Sequence, residues 1–85
     1  MLQLTEAAAV RLKSALEGLR PEEGDCFRIR VTQEGVTIVA DHKCSGDITV
    51  DYDENVLVVM DAISADRLEN LTMDFDEAAR RLVFS

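Results

Sequence analysis

Tryptophan is absent, and the aromatic side chains number four: Phe27, Tyr52, Phe75 and Phe84. A core built without more of them must be aliphatic, assembled from Val, Leu, Ile and Ala. Positive charge is also scarce, with 9 Lys and Arg against 17 Asp and Glu and a formal net charge of −8. That balance excludes a phosphate-backbone partner, whose affinity rests on clustered cations, and an anionic membrane surface. Long hydrophobic runs are missing: the longest, Val56 to Met60, has a strand's length, far short of the ~18 residues of a membrane span. The opening Met1-Leu2-Gln3-Leu4-Thr5 has neither the basic region nor the apolar stretch of a signal peptide, so a cytoplasmic location is expected. Cysteine occurs twice, at Cys26 and Cys44, too rarely for a disulfide scaffold and with no CxxC pair. A cytosolic chain keeps both as thiols.

What remains is a globular composition, with 47% hydrophobic and 31% charged residues. The 85 residues are expected to form one domain, 1–85, of modest stability. Thr5 is a suitable N-cap for a helix over Glu6–Leu19, whose apolar positions Leu4, Ala8, Leu12, Ala15, Leu16 and Leu19 lie on one face. Pro21 and Gly24 end it. Phe27–Thr32 alternates apolar and polar and reads as a strand with one buried face. Gln33-Glu34-Gly35 turns the chain into a second strand, Val36–Asp41, followed by a loop over 42–46. Ile48–Tyr52 alternates again, and Asp53-Glu54-Asn55 leads into Val56–Met60, apolar on both faces and so expected at the centre of a sheet. A short helix fits between Asp61 and Asn70 with Ser64 as N-cap. Leu71–Asp76 and Leu82–Phe84 close the chain as strands around a turn, or one helical turn, at 77–81. Strands in runs, with helices set apart, make the fold class α+β: an N-terminal helix, mostly antiparallel or mixed strands and a second short helix.

This order, with several local strings, resembles the HesB/IscA-like family of A-type iron–sulfur carriers. Leu2-Gln3-Leu4-Thr5-Glu6-Ala7-Ala8-Ala9 with Arg11-Leu12-Lys13 is similar to the family's opening helix. Phe27-Arg28-Ile29-Arg30-Val31 resembles its first strand, which carries an arginine between apolar residues. Gly46-Asp47 through Val56–Asp61 resembles its acidic strand pair. Ser64–Leu68 and Leu71-Thr72-Met73-Asp74-Phe75 resemble its short helix and following strand, and Leu82–Ser85 its late apolar strand. The resemblance implies a HesB-like fold and a link to iron–sulfur cluster assembly. The family places one ligand cysteine in a Cys-Ser-Gly turn after the first strand and a Cys-x-Cys pair near the C-terminus. Here that turn reads Thr32-Gln33-Glu34-Gly35, and the chain given stops at Ser85. Cys44-Ser45-Gly46 repeats the letters of the first motif, but one hairpin later, so the family's ligand role is not carried onto Cys44. The chain reads as a degenerate member lacking the usual ligands.

An iron–sulfur cluster normally takes four protein ligands, mostly thiolates; this sequence offers Cys26, Cys44 and His42. His42-Lys43-Cys44, with Asp41 adjoining, gathers the metal-binding residue types, so a cluster or iron is expected only between two subunits, through Cys44 and His42 of each. The bland alternative, an ordinary surface loop with an idle thiol, carries more weight, because paired ligands without a further motif are common. Cys26 shares the parity of Arg28 and Arg30, a setting that favours thiolate; a buried strand cysteine is the commoner case. Asp47, Asp51, Asp53 and Glu54 lack EF-hand spacing and read as a solvated outer face, or as a docking patch for a basic partner. There is no nucleophile elbow, phosphate-binding loop or second histidine, so no enzyme is expected. Two functions follow: a non-enzymatic protein of iron–sulfur assembly with a protein partner, or a homodimer holding the cluster; and a metal-free interaction module that keeps the fold.

Overall fold

The computed structural model describes residues 1–19 and 25–85. Nine elements follow one another: β1 (Gln3–Leu4), α1 (Glu6–Gly18), β2 (Asp25–Thr32), β3 (Gly35–His42), β4 (Ile48–Tyr52), β5 (Asn55–Met60), α2 (Ala62–Arg67), β6 (Thr72–Asp76) and β7 (Arg81–Phe84). They form a four-stranded sheet in the order β3-β2-β5-β4 and a three-stranded sheet in the order β1-β6-β7. The α+β expectation and the two helices hold. The expected stop at Pro21 and Gly24 lies outside the described residues.

Thr5 caps α1 as its sequence suggests, its hydroxyl accepting the Ala8 N–H at 3.2 Å. The same hydroxyl donates to Asp74 Oδ1 at 2.6 Å, so the cap also fastens α1 to β6. Ala8, Ala9 and Leu12 are buried, whereas Leu19 is 61% exposed. The apolar stripe is thus used at its N-terminal end and left in solvent at its C-terminal end. Strand β1 was not anticipated. It is two residues long and exists because Gln3 and Leu4 pair in parallel with Thr72 and Met73, a partner nearly the whole chain away.

β5 lies between β2 and β4, parallel to the first and antiparallel to the second. Its residues Leu57 to Met60 are all buried, as an apolar run on both faces requires. β2 departs from the half-buried reading, because Cys26, Phe27, Arg28 and Ile29 are all buried. Phe27 and Ile29 join the main core with Val58, Met60, Leu68 and Met73, while Cys26 and Arg28 are buried on the opposite side of the pleat. The turn between β4 and β5 is Asp53-Glu54 alone, both with positive φ, the conformation of a type I′ hairpin. Asn55, expected in the turn, opens β5.

Ser64 corrects a further expectation. Asp61, not Ser64, caps α2, its carboxylate accepting the Ser64 N–H at 2.7 Å. Ser64 lies inside the helix, 1% exposed, and its hydroxyl accepts the Val31 N–H at 3.1 Å. The registered pairing of β5 to β2 stops at Arg28–Val59, and α2 takes over beside the strand. The serine thereby satisfies a ladder donor that would otherwise be buried without a partner.

Candidate functional site

The chemistry-bearing residues of the sequence meet around the far end of the β2–β3 hairpin. Cys26 pairs with Asp41 and Asp25 with His42, which places the start of β2 against the end of β3. His42 is therefore the last residue of β3 and not the first of a loop, as its composition suggested. The connection from Lys43 to Asp47 then passes to β4.

Arg28 organises this connection. Its Nε donates to Asp41 Oδ2 at 2.6 Å. Its Nη1 and Nη2 grip both oxygens of Asp47 at 3.0 and 2.6 Å, a bidentate fork. Nη2 also reaches the His42 carbonyl at 3.3 Å. Asp47 in turn accepts the Cys44 N–H at 2.8 Å, and its own N–H donates to the Cys44 carbonyl at 3.2 Å. One buried cation thus fixes both ends of the loop. Its hydrogen bonds to Asp47 and Asp41 raise its pKa further. The Arg28 guanidinium and the Cys44 N–H hold the Asp47 carboxyl down to about 2. Asp41 is lowered as well, by Arg28 first and the His42 N–H second.

Within this frame Cys44 and His42 are exposed, with the Cys44 Sγ 3.9 Å from the His42 carbonyl oxygen. The His42 imidazole Nδ1 lies 3.4 Å from Asp41 Oδ1. Cys26 is a free, fully buried cysteine. Burial pushes its thiol up, the charge of Asp41 adds to this, and Arg28 opposes it weakly. The thiolate expected from its neighbouring arginines is therefore not favoured: Arg28 is already neutralised by two carboxylates. Among the described residues no group of three or more His, Cys, Asp and Glu is arranged to hold a metal ion. The loop presents two donors, His42 and Cys44, while the adjacent carboxylates are engaged by Arg28. Two donors do not fit a complete cluster within one chain.

The acidic string does not share one face. Asp47 is turned inward to Arg28, and Asp53 pairs with Lys13 at 2.7 Å. Asp51 and Glu54 are exposed. Sequence reading missed Arg28 as the organising residue; the signal available was a cation set between Phe27 and Ile29 in a strand otherwise destined for the core. A cleft of about 470 Å³ between α1 and β5, lined by Lys13, Leu16, Tyr52 and Leu57 among others, has no cysteine, serine, threonine or histidine in its described lining. No helix among the described residues is long and apolar enough to cross a membrane.

The fold is that of the HesB/IscA-like proteins, the A-type iron–sulfur carriers, here with only two cysteines. Three solved structures carry this assignment. Escherichia coli SufA, described as involved in the biosynthesis of iron–sulfur clusters, superposes with a TM-score of 0.74 at 18% identity, covering 99% of this chain and 81% of SufA. A protein from Aquifex aeolicus gives 0.67 at 21% identity, over 99% of this chain and 89% of the other. IscA with a [2Fe–2S] cluster gives 0.61 at 17% identity, over 99% and 81%. No protein-family model matches the chain, and neither does any curated protein sequence.

Proposed function

We propose that this protein works in iron–sulfur cluster assembly as a non-enzymatic, cytosolic protein-binding module. Any iron or cluster it holds is completed by donors from another chain, with His42 and Cys44 as its own contribution. The observation that carries this reading is the pairing of a carrier fold over 99% of the chain with an incomplete, exposed donor pair. The described residues supply two such donors of the four that a cluster takes, and the Arg28 clasp presents both at the surface. The second reading, a metal-free module that keeps the fold, is favoured by the engagement of Asp41 and Asp47 with Arg28, which removes the nearest carboxylate donors.

Anaerobic reconstitution with iron and sulfide separates the two. A stoichiometric visible chromophore on a species larger than the monomer, lost on Cys44→Ala, supports the shared-ligand reading. A colourless protein under the same conditions overturns it and leaves the interaction module.

A further inference from the structure

Within the four-stranded sheet, the outer edge of β3 lacks the protection that the opposite edge, β4, carries. β3 ends the four-stranded sheet, and its eight residues pair with β2 without a bulge. Natural edges are usually short, charged, interrupted by proline or twisted by bulges. The opposite edge, β4, follows that rule: it is five residues long, carries Asp51, and its register slips between Val50 and Asp51. β3 is neither short, nor bulged, nor interrupted by proline. Its sequence from Gly35 to Ala40 is uncharged in a chain of net charge −8, and Val36 and Val39 are 40% and 53% exposed. Its charged residue Asp41 is neutralised by Arg28.

The positions that face outward can be identified. Gln33 and Glu34 form a two-residue turn, which makes Thr32 and Gly35 the closing hydrogen-bonded pair. Alternation along the ladder then turns the N–H and C=O groups of Val36, Ile38, Ala40 and His42 away from β2. The strand closes itself at His42, whose N–H is taken by Asp41 Oδ1 at 2.8 Å and whose carbonyl accepts from Arg28 Nη2 at 3.3 Å. Val36, Ile38 and Ala40 form the open ladder.

We infer that this edge binds a second copy of the chain, β3 antiparallel to β3 about a two-fold axis at Ile38. This register pairs Ile38 with itself and Val36 with Ala40, so every outward group of the open ladder is used. It sets Val39 beside Thr37, a pair of β-branched side chains, and places Asp41 opposite Gly35, so no two carboxylates meet. A partner rich in charge has nothing to pair with on this edge, whereas a copy of the same uncharged strand complements it fully. The two His42 residues then lie eight residue steps apart along the ladder, about 27 Å at ~3.4 Å per residue. Metal–ligand bonds of about 2 Å cannot bridge that gap. A cluster held by His42 and Cys44 takes its remaining donors from a different face or a different protein, so the metal-free dimer and the reconstituted species are distinct assemblies.

The test is sedimentation equilibrium of the metal-free protein over a wide concentration range. A monomer–dimer equilibrium is expected, weakened at least about tenfold by Ala40→Pro, which removes an outward donor, and by Val39→Lys, with far-UV circular dichroism unchanged. Ile63→Lys, at a still more exposed apolar site on α2, leaves it unaltered. Ile38→Cys in a Cys44→Ser background cross-links to itself under mild oxidation, since facing Cα atoms at about 5.5 Å suit a disulfide. A monomer at every concentration, or a dimer indifferent to Ala40→Pro and Val39→Lys, overturns the proposal and leaves the reconstitution result untouched.

Discussion

Two ion pairs of nearly equal length join distant parts of this chain. Arg28 meets Asp47 at 2.6 Å, with side-chain exposures of 9% and 7%. Lys13 meets Asp53 at 2.7 Å, with exposures of 40% and 65%. Distance does not separate them; burial and connectivity do. Lys13 makes one charge-assisted bond on the surface, where water and salt compete for both partners. Arg28 makes four, to two carboxylates and a carbonyl, from beneath the loop it holds. The first pair decorates the surface, and the second gives the 42–47 segment its shape.

The largest effect is expected from Arg28→Ala, which leaves Asp47 buried beside a lost partner. Breaking one side of such a pair costs roughly 3 kcal/mol, a fall in Tm of about 15 °C for a chain of this size. Calorimetry checks this, and a change of only a few degrees would mean that the clasp is as dispensable as a surface pair. Ser64→Ala supplies an intermediate case, a buried neutral hydrogen bond. It strands the Val31 N–H and is expected to cost about 1–2 kcal/mol in urea unfolding, with an unchanged m-value.

Acid sharpens the same comparison. Asp47 has a folded-state pKa of about 2 against an ordinary 3.8, so its contribution is complete above the ordinary value and is lost as pH falls through about 2. Thermal scans across that window should show Tm falling with pH, more shallowly in Asp47→Asn than in the parent protein. An identical slope in both would remove Asp47 from the account. The smallest effect is expected from Lys13→Ala: a shift in Tm within about 2 °C, shrinking further in high salt.

Much of the fold is readable along the chain because its signals are local. The helical stripe with its Thr5 cap, the alternating strands and the double-sided apolar run at Val56–Met60 each declare themselves within a few residues, and each appears in the structure. β1 is not readable, since two residues carry no period and the strand exists only through Thr72 and Met73. Ser64 misled because serine favours N-caps, yet its hydroxyl serves a strand thirty-three residues away. The candidate site divides in the same manner. His42 and Cys44 stood out by residue type; that Asp41 and Asp47 are drawn off by Arg28 could not be read from spacing.

Composition and periodicity alone determined that this chain is acidic, aliphatic-cored and α+β, and that these 85 residues carry two thiols. These are properties of single residues and near neighbours, and they survive in any arrangement. Tertiary structure decided which cation is buried, which carboxylates it neutralises, and which edge strand is left open. Those outcomes depend on desolvation and on groups that only the folded chain brings within hydrogen-bonding distance, where burial turns an ordinary charge pair into a structural clasp.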